Sequence, residues 1–332
     1  MHKNRFFNSL SGLALALIVV SAAYAGMTVD SVLKAYTEKA SVAGSIKSIG
    51  SDTMNNLMAL WAEGFRNHHP DVKVEVEGKG SSTAPPALIA GTANFAPMSR
   101  KMKSKEIDAF EQQFGYQPVQ LRTSIDMLAV YVHKDNPIKG LTLQQIDAIF
   151  SKTRKGGYGA DIRTWGDLGL TGEWKDKPIS LYGRNSASGT YGYFKKHALF
   201  KGDYKDEVKE QPGSSSVVQG VASDKYAIGY SGIGYITPDV RAVPLSDETG
   251  DVSEFMAAEA ENAYSGDYPL ARFLYLSVNY KPGSQLDDLR AEFVRFVFSK
   301  DGQEVVIKDG YLPVPASVAR EELQSVGIEP DF

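Results

Sequence analysis

Cysteine is absent from all 332 residues, which excludes a disulfide framework and a lipid-modified N-terminal cysteine. Histidine is scarce, five residues in all. His68 and His69 are adjacent at a helix end and point to different faces, while His133 and His197 stand alone, so no metal site is expected. There is no basic excess: 36 Lys and Arg oppose 40 Asp and Glu, a formal charge of −4, which argues against nucleic acid as a partner. No fixed-period repeat, low-complexity tract or Pro/Ser linker divides the chain. A nucleophile elbow of the Gly-x-Ser-x-Gly type is missing around Tyr230-Ser231-Gly232. Gly78-Lys79-Gly80 opens a dinucleotide fingerprint but has Thr83 where the third glycine belongs.

What is present begins with an export signal. Lys3 and Arg5 precede an apolar run, Leu10 to Val20, and Ala23-Tyr24-Ala25 supplies a small-x-small cleavage site before Gly26. The run is too short for a membrane anchor, so residues 1–25 read as a signal peptide cleaved after Ala25, and a periplasmic location is expected. Cleavage would remove Lys3 and Arg5 and no acid, taking the formal charge from −4 to −6. With 42% hydrophobic and 11% aromatic residues, the remainder can bury a large core, and its length suits two domains.

Three Ser/Gly-rich turns stand between a strand-like run and a helical one. The fullest is Gly183-Arg184-Asn185-Ser186-Ala187-Ser188-Gly189-Thr190, after the run Lys177 to Tyr182 and before a helix from Tyr191 to Leu199. The others are Gly50-Ser51-Asp52-Thr53 and Gly80-Ser81-Ser82-Thr83. Hydroxyls and backbone N–H groups at a helix N-terminus, with an arginine fork beside them, make an anion cradle. Any one such turn is ordinarily just an N-cap, and an isolated Arg184 would ordinarily be a surface ion-pair residue. Three together point to a shared ligand.

Along the chain, residues 28–40 form a short amphipathic segment, a candidate helix within an N-terminal spacer (residues 26–44). From Thr53, Met54, Leu57, Met58, Trp61 and Phe65 recur at helical spacing until Pro70, which makes Trp61 and Phe65 core residues. Asn94 to Met98 reads as a strand, Ser104 as the cap of a helix ending at Gly115, Ile125 to Val132 as a strand, and Thr142-x-x-Gln145 as a capping box. Ser214-Ser215-Ser216 reads as the cap of a further helix. Ala227 to Tyr230 and Leu270 to Val278 read as strands, and helices follow around Leu286 to Phe298 and Gly302 to Lys308. The alternation predicts an α/β protein with a mostly parallel sheet. Arg100 reads as a solvated residue with Lys101 and Lys103, and alternating Gly and Tyr around Tyr230 and Tyr235 reads as packing rather than cleft lining.

In these residues and their order the chain resembles the periplasmic phosphate-binding proteins of ABC importers, with the type II periplasmic-binding fold. The resemblance rests on Gly50-Ser-Asp-Thr, Trp61, Gly80-Ser-Ser-Thr, Asn94-Phe95, Arg184-x-x-x-Ser188-Gly189-Thr190, Ile228-Gly229-Tyr230 and Tyr268-Pro269-Leu270. It implies a two-lobed α/β protein in which each lobe is a central sheet flanked by helices. Residues 45–133 plus 270–332 would form lobe I and 134–269 lobe II, hinged by two crossover strands.

Carried over by position, the implied ligand contacts are Asp52, Thr53, Ser81, Ser99, Arg184, Ser188, Gly189 and Thr190, with Ser51, Ser82, Asp126 and Ser186 behind them. Two positions depart from the family pattern: Ser99 stands where many members have a proton-accepting aspartate, and Ser186 where many have an aspartate two residues after the arginine. Asp52 is the expected replacement acceptor, and Asp126 the second candidate or the partner of Arg184.

The implied activity is non-enzymatic: a monomeric receptor without cofactor, binding inorganic phosphate and delivering it to an inner-membrane ABC permease. Rival readings are a receptor for another tetrahedral oxyanion such as sulfate, a secreted phosphatase or hydrolase using Ser188 or Ser81, and an added adhesion role.

Overall fold

A computed structural model describes residues 27–247 and 254–332; the expected export signal, residues 1–25, and its expected cleavage site lie outside them. In the first part of the chain the strands are β1 (Gly44–Gly50), β2 (Val72–Gly78), β3 (Phe95–Met98), β4 (Val119–His133), β5 (Leu141–Thr142) and β6 (Ser180–Arg184). They alternate with helices α1 (Asn55–His68), α2 (Ala84–Ile89), α3 (Ser104–Phe114) and α4 (Leu143–Phe150). Then follow α5 (Gly189–His197), β7 (Lys209–Gln211), α6 (Ser214–Ser223), β8 (Ala227–Gly232), β9 (Val240–Ala242), β10 (Leu245–Ser246) and α7 (Ala260–Ser265). The chain closes with β11 (Ala271–Val278), α8 (Asp288–Val297), α9 (Lys300–Lys308), β12 (Leu312–Pro313) and α10 (Ala316–Ser325).

One curled sheet runs in the order β2-β1-β3-β11-β4-β8-β6-β7. It is mixed, not mostly parallel. The flanks are parallel, β1 with β2 and β3 at one end and β6 with β7 and β8 at the other. The centre is antiparallel, because β11 and β4 run against each other and against their outer neighbours. The regular strand–helix alternation of the two halves hides this, since the returning strand β11 comes from far along the chain.

The fold is two-lobed, each flank with its helices forming one lobe. Strand β4 belongs to both: Val119 to Met127 pair with β11, and Leu128 to Val132 pair with β8. Nearly every residue from Leu121 to Val132 is buried, as a strand covered on both faces must be. The only sign of β4 in the sequence analysis was its second half. Its first half, Val119-Gln-Leu-Arg-Thr-Ser, carries polar residues, three of which have partners elsewhere in the chain: Gln120 accepts the N–H of Met102, Arg122 donates to Glu321 and Glu322, and Thr123 donates to the Leu274 carbonyl.

Several local readings are corrected. Residues 28–40 are not helical. Leu33 and Tyr36 are buried, and Tyr36 donates its N–H to Asp301 and its hydroxyl to Glu292 at 2.5 Å. The N–H groups of Tyr36 and Lys39 are taken by Asp301 of α9 and Glu292 of α8, so these two need no i→i−4 partners. The N-cap of α3 is Lys103, whose N–H donates to Glu106 at 2.8 Å, and Ser104 is the first helical residue. Arg100 is not solvated, because both its terminal nitrogens donate to Glu106 at 2.7 Å. The Thr142/Gln145 capping box is present, with the reciprocal bonds at 3.1 and 2.9 Å. Trp61 and Phe65 are core residues with no exposed surface.

Candidate functional site

The carboxyl ends of the parallel strands point at one place, where the fold's two lobes meet. Ser51-Asp52-Thr53 follows β1, Ser81-Ser82 follows β2, and Ser188-Gly189-Thr190 follows β6. Each turn enters a helix, so N–H groups without intrahelical partners gather there with the positive ends of helix dipoles.

The contacts between these turns are direct. Thr53 Oγ1 and Thr190 Oγ1 are 2.9 Å apart, and Ser81 Oγ lies 3.2 Å from Ser99 Oγ. Ser99 donates its N–H to Ser81 Oγ at 3.0 Å. Ser82 donates its N–H and its hydroxyl to the Ala187 carbonyl, at 3.1 and 2.6 Å. Ser188 caps α5, its Oγ accepting the N–H of Thr190 at 3.1 Å. Gly189 must be glycine, because a Cβ there would fall 2.6 Å from Ser99 Oγ and closer still to Ser81 Oγ. Thr53, Ser81, Ser99, Ser188 and Thr190, nearly 140 residues apart at the extremes, are all buried in one cluster.

Two guanidinium groups border the cluster, and each has a carboxylate partner. Arg184, 1% exposed, donates to Ser214 Oγ at 2.7 Å and to the Pro212 carbonyl at 3.1 Å, and stands 3.2 Å from Asp52 Oδ2. Burial pulls its pKa down, and the charge of Asp52 opposes that shift. Its Nε is buried with no hydrogen-bond partner in the protein. Leaving such a donor unmade costs about 1–3 kcal/mol, more for a charged group, which favours an added acceptor. The Ser51 hydroxyl is buried and unpartnered in the same way.

Asp52 also accepts the N–H of Ser214 at 2.8 Å, so α6 is capped from across the lobe boundary. Its N-cap residue is Gly213, which has no side chain to offer, and the serine triplet does not supply the cap. Tyr235 donates its hydroxyl to the Asp52 carbonyl at 3.0 Å. It thereby touches the site's backbone, whereas Tyr230 stacks on Phe194 with centroids 3.8 Å apart.

Asp126 is not the partner of Arg184. It faces Arg272 across the β4/β11 register, accepting from Arg272 Nε at 2.9 Å and Nη2 at 2.7 Å. Its other oxygen accepts the N–H of Ile233 at 3.0 Å. Arg272 goes on to donate to the Ser99 carbonyl and to Thr190 Oγ1, both at 2.8 Å. It was missed in the sequence because it sits at the start of an apolar strand, with no glycine or serine to mark it. A charged residue inside an otherwise apolar run was the available signal. Ser186 is exposed and lies apart from this cluster, so Asp52 stands against the arginine from another turn.

Each arginine being balanced by a carboxylate, the cluster offers donors without a large net charge. Small hydroxyls, helix N-termini and forked guanidinium groups form a donor set suited to a compact oxyanion. Among the described residues no cluster of three or more His, Cys, Asp or Glu could hold a metal ion, and no helix is long and apolar enough to cross a membrane.

The fold and site define the class of binding protein, and comparison with known proteins agrees: a family profile described as a PBP superfamily domain matches residues 35–301. The phosphate-binding protein PstS of Pseudomonas aeruginosa strain PAO1 is 52% identical over 319 residues, which are 96% of this chain and 98% of that protein. The chain belongs to the PstS family of phosphate-binding proteins. The PstS of Staphylococcus epidermidis strain RP62A is 28% identical, with 85% of this chain and 83% of that one aligned. Among solved structures, one from Clostridium perfringens is described as a phosphate ABC transporter substrate-binding protein with bound phosphate. It superposes with a TM-score of 0.67 at 26% identity, covering 82% of this chain and all of that one.

Proposed function

We propose that this chain is an exported receptor that binds inorganic phosphate and delivers it to an inner-membrane ABC permease. The observation that carries this reading is the convergence of Thr53, Ser81, Ser99, Ser188, Gly189 and Thr190 beside Arg184, in a member of the PstS family. These residues and Asp52 are the proposed ligand contacts, with Ser51, Ser82 and Asp126 supporting them. The proposed lobes are residues 45–133 plus 270–332 and residues 134–269. The closing movement is taken up near Met127 and Leu128, where β4 changes partner. In this reading the protein acts as a periplasmic monomer after cleavage at Ala25, and it catalyses no reaction. The hydroxyls a hydrolase would use are engaged otherwise: Ser188 Oγ with α5 backbone N–H groups and Ser81 Oγ with Ser99.

Asp52 is the proposed acceptor for the ligand's own proton, standing in for the aspartate that Ser99 replaces. Sulfate offers no such proton at neutral pH, so a carboxylate beside it is repulsive. Calorimetric titration of ligand-stripped protein with phosphate, sulfate and arsenate tests both claims. Several charge-assisted bonds of roughly 1.5–3 kcal/mol each, less desolvation, give micromolar affinity or better, about −8 kcal/mol. Phosphate is expected to bind far more tightly than sulfate, and Asp52→Asn to narrow that gap. No heat with phosphate would overturn the receptor reading. An unchanged gap in Asp52→Asn would reduce Asp52 to the partner of Arg184 and cap of α6.

A further inference from the structure

Arg272 ties both lobes and the strand between them to the site. It is 6% exposed and sits on β11. One edge of its guanidinium holds Asp126 on β4 through Nε and Nη2. Nη1 donates to the carbonyl of Ser99, the residue whose hydroxyl meets Ser81. Nη2 also donates at 2.8 Å to Thr190 Oγ1, which is in turn 2.9 Å from Thr53 Oγ1. The ring of Tyr193 lies over the guanidinium, its centroid 5.1 Å from Cζ, and Tyr193 donates its hydroxyl to the carbonyl of Ala271 at 2.8 Å. The fork is therefore fixed from below by Asp126 and from above by an α5 side chain.

This arrangement has a consequence for closure. Asp126 and Ser99 are bonded to Arg272 through the β3–β11–β4 part of the sheet, and these contacts are internal to it. Thr190 and Tyr193 belong to α5, beyond the point where β4 changes partner. Here α5 lies against β11 and Arg272 reaches Thr190; on the proposed hinge, opening would separate the two and break that bond. A lysine would keep the charge but lose the planar fork needed to reach three acceptors at once.

We infer that Arg272 is a positioning residue of the anion site. It orients the Thr190 hydroxyl and the Ser99 segment in the closed form, so that the residence time of the bound anion depends on a residue of β11. This rests on the phosphate-receptor reading above and adds a determinant of release to it.

The test is a double-mutant cycle on the full chain: wild type, Arg272→Lys, Thr190→Val and the double variant, titrated with inorganic phosphate and followed by stopped flow. Arg272→Lys is expected to raise Kd roughly 10- to 100-fold, the range for losing one charge-assisted hydrogen bond. The change should fall on the dissociation rate, because on the proposed hinge the bond exists only in the closed form. The two single effects should not add, since each substitution breaks the same contact. Phosphate affinity unchanged in Arg272→Lys, or fully additive effects, would overturn the inference while leaving the receptor reading standing. Wild type that fails to bind phosphate would overturn that reading itself, and this inference with it. Should Arg272→Lys not fold, Asp126→Asn/Arg272→Gln keeps the pair hydrogen-bonded and neutral. With its thermal midpoint checked against wild type, it should show the same accelerated release, and wild-type release from it would equally overturn the inference.

Discussion

Asp309, 7% exposed, ends α9 and accepts a hydrogen bond from Asn56 in the first turns of α1, the helix that leads out of the Asp52-Thr53 loop. Burial raises its carboxyl from the ordinary 3.8 to about 7, and the bond from Asn56 offsets only part of this. The folded protein thus holds a proton that the unfolded chain has released between those two pH values. Stability attributable to this group is fully present below the ordinary pKa and falls as pH rises through the window, levelling off above about 7. The whole effect is at most about 4 kcal/mol, one pKa unit being 1.36 kcal/mol. Urea midpoints at pH 5 and pH 8 check it: Asp309→Asn should lose part of the pH dependence that wild type shows. Identical pH dependence in the two proteins would mean that Asp309 ionises at its ordinary value.

At the scale of elements, the site is built from helix starts. Ser188 caps α5 from within its own turn, whereas α6 borrows its cap from Asp52, so one element's start is completed only by the other lobe. Gly189 gives a sharp prediction here. Its missing Cβ is what lets the start of α5 rest on Ser81 and Ser99, a contact between lobes and not within one. Gly189→Ala is therefore expected to fold with a thermal midpoint close to wild type and to lose most of its phosphate affinity. Retained affinity would show that the turns separate more than this closed arrangement implies. Gly80 meets the same demand from the opposite side: at φ +108° it approaches the Ala187 carbonyl, a conformation and a proximity that other residues avoid.

The elements themselves were largely legible. Helical spacing marked α1, the Thr142/Gln145 box marked α4, and the three Ser/Gly turns were found where strands give way to helices. The failures share one cause. Residues 28–40 look amphipathic because Leu33 and Tyr36 are buried, yet they are buried against α8 and α9 and not along a helix of their own. The serine triplet offers a cap in the sequence, but it forms the first turn of α6, and the N–H of Ser214 is bonded to the Asp52 carboxylate from a distant turn.

For the whole molecule, closure is the property on which the proposed receptor function would depend. Two ion pairs border the seam, Arg184 with Asp52 across it and Arg272 with Asp126 beside it. A buried pair barely offsets its own desolvation, so these pairs serve orientation more than stability, and in the proposed receptor a bound anion with its new hydrogen bonds would supply the bias toward the closed form. Small-angle scattering should show the ligand-stripped protein contracting when phosphate is added, and Gly189→Ala failing to contract. A radius of gyration indifferent to phosphate in wild type would count against hinged closure.

The sequence by itself determined the α/β class, the three turns with their hydroxyls and glycines, and Arg184. Those features depend on neighbours within a few residues, where periodicity, capping and backbone freedom act. Tertiary structure alone decided the sheet's mixed direction, the pairing of Asp52 with Arg184 and of Asp126 with Arg272, and the place of Arg272 in the site. Each of these depends on which strands lie side by side. Arg272 and Asp126 are 146 residues apart in the chain and opposite each other in the β4/β11 register, a relation that no local pattern encodes.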